Sequence, residues 1–141
     1  MLSSALAMAP CARPILVVDD DGDLRQTVGQ VLGEEAGHHV VYARNGAEAL
    51  DFLLQPDCAL PCLIVLDLMM PVVNGWEVLS FCRTHDAWAK IPVIVVSASM
   101  NQTTLANALA ARFLRKPIRL ASLVAQVREL CAEGVVERGQ A

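Results

Sequence analysis

Short runs of consecutive apolar residues alternate along the chain with longer stretches in which apolar residues recur every three or four positions. Three of the runs, at 15–18, 62–66 and 92–96, are continuous and rich in β-branched residues. Such runs are typical of strands buried on both faces of a parallel sheet. Strands are also predicted at 39–43 and 112–115. Each strand is followed by a stretch with helical spacing, so the pattern predicts five strand and helix pairs.

Capping residues indicate where several of these helices begin and end. Asp21 or Asp23 can cap the start of the first helix, and Gly37 lies just past its end. Asn45 can cap the second helix. Later helices are predicted after the third strand, over about 101–110, and over about 120–131.

The predicted elements form one domain with two tails. A length of 141 residues matches the usual size of a single domain, so a second folded domain is not expected. The domain covers 13–131, residues 1–12 are expected to be a disordered N-terminal tail, and residues 132–141 are expected to be a C-terminal tail.

Polar residues follow the predicted strands at the points where the strands end. Asp19 and Asp20 follow the first strand, Asp67 the third, Ser97 the fourth and Lys116 the fifth. Alternating strands and helices with right-handed crossovers predict an α/β fold, a doubly wound parallel sheet covered on both faces. Because the carboxyl ends of parallel strands share one edge, these side chains are expected to lie together where such folds bind ligands.

Charge and hydropathy exclude two classes of partner. The chain has 15 acidic and 11 basic residues, and its longest basic cluster is Arg115-Lys116, so direct nucleic-acid binding is not expected. The mean hydropathy is +0.44. No apolar run approaches the ~18 residues of a spanning helix, so no membrane segment is predicted.

The five cysteines indicate a reducing compartment. Their number is odd and they form no CxxC pair, so we interpret them as reduced thiols of a cytoplasmic protein. The spacing of Cys58 and Cys62 is only a weak metal signal, and two packed or exposed thiols are the favoured interpretation.

The predicted edge has the groups that phosphoryl chemistry requires. Clustered carboxylates repel one another and call for a hard cation such as Mg²⁺, with Asp20 and Asp67 as the natural direct ligands. A carboxylate can also attack phosphorus and carry it as an acyl phosphate. Lys116 and the Ser97 hydroxyl can then neutralise or hydrogen-bond the phosphoryl oxygens.

Four motifs carry a resemblance to a known family. They are Ile15-Leu-Val-Val-Asp-Asp-Asp21, Leu66-Asp-Leu-Met-Met-Pro71 with Asn74-Gly75, Pro92-Val-Ile-Val-Val-Ser-Ala98, and Phe113-Leu-Arg-Lys-Pro117. Over about 13–131 the chain resembles the receiver domain of bacterial response regulators. The resemblance implies a flavodoxin-like (βα)5 fold with strand order 2-1-3-4-5.

The resemblance also implies the chemical roles at the edge. Asp67 matches the phosphoacceptor, and Asp19 and Asp20 match the Mg²⁺ ligands, with the Met69 backbone carbonyl completing the protein ligands. Further roles follow the same motifs: Ser97, Ala98 and Lys116 for binding the phosphoryl group, Phe113 for the switch aromatic, and Lys116-Pro117 for a cis peptide bond.

The resemblance further implies a place in two-component signalling. A stand-alone receiver of the bacterial cytoplasm would take its phosphoryl group from a sensor histidine kinase or a histidine phosphotransfer protein. It would then change its affinity for a downstream protein, as a monomer or as a phosphorylation-dependent dimer. It would not be an enzyme beyond its own phosphorylation and dephosphorylation.

Two other functions remain open from the residues alone. Asp19 and Asp21 form the Asp-x-Asp pair of a haloacid-dehalogenase-like, Mg²⁺-dependent phosphatase, although the later acidic pair of that family is absent near Ser97 and Lys116. A phosphate-independent interaction domain on the same fold would require a damaged site, and the required residues are all present.

Overall fold

The computed structural model describes residues 13–35, 37–55, 60–70, 73–98, 107 and 109–140, with only the backbone described at 35 and 132–140. The predicted tail at 1–12 lies outside these residues. So does most of the helix predicted over 101–110, together with Cys58.

Five parallel strands form one sheet. They are β1 (Ile15–Val18), β2 (Val40–Ala43), β3 (Leu63–Asp67), β4 (Val93–Ser97) and β5 (Arg112–Arg115). Their order is β2-β1-β3-β4-β5, which confirms the predicted fold class and the strand order implied by the resemblance. Each strand begins and ends within about one residue of its predicted bounds.

Four helices are described, and their starts follow the predicted caps. They are α1 (Gly22–Gln30), which continues into a π-helical turn (Val31–Glu35), α2 (Gly46–Leu54), α3 (Gly75–Thr84) and α4 (Leu120–Gln140). The Asp21 side chain accepts hydrogen bonds at the start of α1, and Asn45 does so at the start of α2. Gly37 adopts a φ of +74°, the left-handed conformation that favours glycine after a helix.

The end of the last helix was predicted wrongly. The sequence pattern ended it near residue 131 and left 132–141 as a tail, whereas α4 continues to Gln140. The segment after Cys131 contains no proline, and most of its residues are compatible with helix. The apolar periodicity used for the prediction runs only to Leu130, so it could not locate this end.

Alternate residues of the central strands pack on opposite faces of the sheet. Leu16 and Val18 belong to one buried cluster, which includes side chains of α2 and α3. Ile15 and Val17 belong to a second cluster, which includes side chains of α1 and α4. Burial on both faces explains the continuous apolar runs of β1, β3 and β4. None of the described helices is both long and apolar enough to cross a bilayer.

Gly75 lies where α3 packs against the loop that follows β3. Its N–H donates a hydrogen bond to the Leu68 carbonyl at 3.1 Å. A Cβ added to Gly75 would collide with the Asp67 carbonyl and the Leu68 Cα, which are backbone atoms and cannot rotate away. The absence of a side chain therefore sets the distance between α3 and the end of β3.

We predict that Gly75→Ala destabilises the fold by about 1–3 kcal/mol, because the added methyl group must displace backbone. Urea unfolding measures the change. Gly33→Ala is the matched control, since its Cβ would meet only the His38 carbonyl at an ordinary 3.6 Å. Equal stability of the two variants would contradict this account of the close approach.

Candidate functional site

The register of the sheet brings the polar strand ends together. Val18 at the end of β1 pairs with Leu66 of β3, so Asp19, directly after β1, and Asp67, the last residue of β3, lie at the same level. On the other side of β3 lies β4, whose last residue, Ser97, pairs with Arg115 of β5. The Lys116 N–H donates to the Ser97 carbonyl at 2.9 Å, which fixes the backbone of Lys116 at this edge.

Asp19, Asp20 and Asp67 form an acidic cluster. One carboxylate oxygen from each residue lies within 4.8 Å of the other two. Asp19 and Asp67 are each only 3% exposed, whereas Asp20 is exposed. The cluster therefore combines two buried carboxylates with a third that faces solvent.

Local hydrogen bonds hold the two buried carboxylates and their backbone. The Asp21 N–H donates to Asp19 Oδ1 at 2.9 Å, and the Met69 N–H donates to Asp67 Oδ1 at 3.2 Å. Arg25 Nη1 donates to the Asp19 carbonyl at 2.7 Å. Sequence reasoning missed this role of Arg25; its position in the first turn of the helix after the acidic run is the signal that could have suggested it.

Lys116 is the cation that faces both buried carboxylates. Its Nζ lies 3.3 Å from Asp19 Oδ2 and 3.5 Å from Asp67 Oδ2. Desolvation by itself would lower the pKa of Lys116, but the two adjacent carboxylates outweigh it and raise the pKa. Lys116 is therefore charged at neutral pH.

Asp67 retains its proton at a higher pH than an ordinary aspartate. Burial is the largest cause and the negative charge of Asp19 the next, and together they raise its pKa from 3.8 to about 6. The Met69 N–H and Lys116 act in the opposite direction but do not compensate. One lysine is therefore insufficient to neutralise this cluster.

The other predicted site residues differ in exposure. Ser97 is fully buried at the end of β4, and Ala98 after it is exposed. The Met69 side chain is 65% exposed. Phe113 is half-buried and packs against the apolar core cluster that includes side chains of α2 and α3. The Lys116-Pro117 peptide bond is cis, as the resemblance implied.

The donor set of the acidic cluster fits a hard divalent cation. All three side chains offer carboxylate oxygen, which Mg²⁺ prefers, and Asp20 leaves one side of the cluster open to water or phosphate. A bound cation would also relieve the repulsion between Asp19 and Asp67.

The geometry also bears on the phosphatase alternative. Asp21 is the second carboxylate of its Asp-x-Asp pair. In the structure Asp21 Oδ1 accepts hydrogen bonds from the N–H groups of Asp23 and Leu24, so it serves as the cap of α1.

Comparisons with known proteins agree with the fold. The family model for the response regulator receiver domain matches residues 15–128. Response regulator RR06 of Streptococcus pneumoniae is 40% identical over 121 residues, covering 82% of this chain and 52% of the relative. The chain belongs to the response regulator receiver domain family.

Solved receiver structures have the same fold. The receiver domain of Francisella response regulator 1452 superposes with a TM-score of 0.74 at 30% identity, covering 86% of this chain and 98% of that one. The phosphorylated cyanobacterial phytochrome response regulator RcpA superposes with a TM-score of 0.72 at 28% identity, covering 84% of this chain and 90% of that one. Receiver domains typically bind Mg²⁺ through acidic residues, and they generally act in signalling rather than as classical enzymes.

The chain spans about half the length of the curated relatives that it matches. It covers 52% of RR06 and 54% of the alkaline phosphatase synthesis transcriptional regulatory protein SphR of Synechococcus elongatus. Those proteins therefore contain regions that this chain does not match.

We predict that Asp67→Asn stabilises the metal-free protein in a pH-dependent manner. The folded state holds the Asp67 proton more tightly than the unfolded chain does, so ionisation lowers the free energy of unfolding as the pH rises from about 4 through about 6. A pKa raised from 3.8 to about 6 corresponds to roughly 3 kcal/mol. The advantage of the variant should thus approach that size above pH 6, shrink as the pH falls from about 6 to about 4, and be largely absent below pH 4.

Denaturant unfolding in EDTA across this pH range measures the difference between variant and parent. Asp51→Asn, an exposed position on α2, removes one negative charge away from the cluster and is the control. An Asp67→Asn advantage of the same size at pH 4 and pH 7 would refute the electrostatic explanation.

Proposed function

We propose that this chain is a phosphorylation-controlled switch in which Asp67 accepts a phosphoryl group in a Mg²⁺-dependent reaction. The observation that carries the proposal is the position of the Asp67 carboxylate, 3.5 Å from Lys116 Nζ and within a cluster of three carboxylates, in a chain of the receiver family. The donor would be a sensor histidine kinase or a histidine phosphotransfer protein.

The transfer requires an ionised and positioned nucleophile. With a pKa of about 6, Asp67 is mostly carboxylate at neutral pH, and the Met69 N–H orients it. An Asp67 oxygen forms a bond to phosphorus while the bond between phosphorus and the donor's imidazole nitrogen breaks, and the imidazole leaves with the electron pair. The product is an acyl phosphate on Asp67.

The charge that develops on the phosphoryl oxygens requires neutralisation. Asp19, Asp20, Asp67 and the Met69 carbonyl are the groups that would hold Mg²⁺, which supplies positive charge to the phosphoryl oxygens. Lys116 would exchange its contact with Asp67 for one with the phosphoryl group. Ser97 and Ala98, which follow one another at the end of β4, would hydrogen-bond the remaining oxygens.

The solved structure of RcpA in a phosphorylated state supports the proposal by analogy, because that fold can carry the modification. We place the chain in the bacterial cytoplasm, where kinase and receiver meet, with a downstream protein as the partner of the switched surface. It would act as a monomer or as a dimer that forms on phosphorylation, without contacting nucleic acid or membrane itself.

The proposed output is a change in the surface around β5. Movement of Ser97 toward the phosphoryl group would open space beside Phe113, which is already half-buried. The ring could then turn inward and repack the face formed by β5 and the start of α4. A local charge change would thus alter the affinity for a protein partner.

We predict that Asp67→Asn abolishes phosphorylation. Incubation with acetyl phosphate and Mg²⁺ should add one phosphoryl group to the parent chain, detected by intact mass, and none to the variant. Asp51→Asn should react like the parent, and EDTA should suppress the reaction in both. One phosphoryl group on Asp67→Asn, with the variant shown to be folded by circular dichroism, would exclude Asp67 as the acceptor.

We predict that Phe113→Ala uncouples phosphorylation from the surface change. The variant should still accept phosphate, because Phe113 does not contact the acidic cluster in the proposed chemistry. Amide exchange compared with and without beryllofluoride should show altered protection over 98–120 in the parent and a smaller change in the variant. Phe81→Ala, an exposed ring on α3, is the control. Changes confined to the loops around Asp20 and Asp67 in the parent would reject this switch.

A further inference from the structure

A second cluster of potential ligands lies at the opposite edge of the sheet. Ile15 of β1 pairs with Val40 of β2 and with Leu63 of β3, so the amino ends of these strands are level. His38 lies two residues before β2, and Cys62 directly precedes β3. Cys131 of α4 completes the cluster, far along the sheet from Asp67.

The three side chains have the spacing of ligands to a single ion. One ligand atom from each of His38, Cys62 and Cys131 lies within 4.8 Å of the other two. The Cys62 and Cys131 sulfurs are 3.6 Å apart, which is too long for a disulfide bond of ~2.05 Å. Tetrahedral zinc with Zn–S bonds of ~2.3 Å requires sulfurs roughly 3.7 Å apart. The two sulfurs are in hydrogen-bond contact, and their separation is close to that of two thiolates that share an ion.

Backbone hydrogen bonds hold two of the ligand positions before any ion binds. The Cys62 N–H donates to the Pro14 carbonyl at 2.9 Å, and the His38 N–H donates to the Leu32 carbonyl at 3.0 Å. The Arg13 guanidinium donates to the carbonyls of Leu60 and Pro61, at 3.0 and 2.9 Å, which fixes the segment that leads into Cys62. Little reorganisation would be needed for the cluster to bind a metal.

The chemistry of the cluster selects a thiophilic ion. Two thiols and an imidazole match the Cys₂His ligand sets of zinc and are poor ligands for Mg²⁺. Partial burial lowers the pKa of His38, which favours the neutral imidazole that binds metal. His38 and Cys62 are half-buried, so an ion can reach the cluster from solvent.

We propose that His38, Cys62 and Cys131 form a binding site for a thiophilic divalent ion of the Zn²⁺ type, joining α4 to the amino edge of the sheet. On binding, each thiol loses its proton to solvent, and two metal–sulfur bonds and one metal–nitrogen bond form. Water occupies the fourth position. This site is separate from the acidic cluster and does not depend on phosphorylation.

The test is titration of the reduced, metal-free full chain with Co²⁺, whose thiolate charge-transfer and tetrahedral d–d bands report its ligands. Cys11→Ser/Cys58→Ser serves as the parent, so that the remaining thiols are Cys62, Cys82 and Cys131. Burial raises the pKa of Cys82 to about 11, which makes it a poor ligand. We expect one equivalent of Co²⁺ to bind with both bands, to be displaced by Zn²⁺ and to resist excess Mg²⁺.

Ligand variants and matched controls then locate the ion. His38→Ala, Cys62→Ser and Cys131→Ser should each weaken Co²⁺ binding at least about tenfold. His39→Ala at the exposed neighbouring position and Cys82→Ala should bind like the parent. Asp67→Asn should keep both bands, which separates this site from the phosphoacceptor edge.

Two results would overturn the proposal. One is the absence of a thiolate charge-transfer band in the parent at stoichiometric Co²⁺, a result that requires no variant to fold. The other is a band that persists unchanged in both Cys62→Ser and Cys131→Ser.

Discussion

The repulsion between two buried carboxylates is the constraint on which the candidate site depends. Asp19 and Asp67 follow adjacent strands, so the register of β1 and β3 determines their proximity, and burial removes the water that would screen them. Lys116 compensates only in part, since the pKa of Asp67 stays near 6. The apolar core must offset the free-energy cost of this repulsion. The acidic cluster therefore attracts cations.

The sequence predicted the sheet and the residues of its carboxyl edge for one physical reason. A strand buried on both faces must be apolar throughout, so its end is marked by the first polar residue, and in a parallel sheet all such ends meet. Asp19, Asp67 and Ser97 were therefore recognisable from position alone, whereas Lys116 follows β5, a partly buried strand that begins and ends with arginine. The strand order followed from the family resemblance, because hydrophobic patterns do not specify which strands are neighbours.

Other features could not be predicted because they leave no periodic signal. The extension of α4 to Gln140 lies beyond the periodic apolar positions, the last of which is Leu130. The Arg25 contact with the Asp19 carbonyl depends on a side-chain conformation. His38, Cys62 and Cys131 are separated by long stretches of sequence, and only the folded sheet brings them together. The weak metal signal from the spacing of Cys58 and Cys62 included only one member of this cluster.

The α4 helix has a mechanical consequence for the molecule. It begins at Leu120, just after the lysine of the acidic edge, and reaches Cys131 about 17 Å further along its axis at ~1.5 Å per residue. A helix resists compression along its axis, so its two ends cannot be displaced independently. A displacement of Leu120 along the helix axis, beside Lys116, would therefore also shift Cys131 at the opposite edge of the sheet.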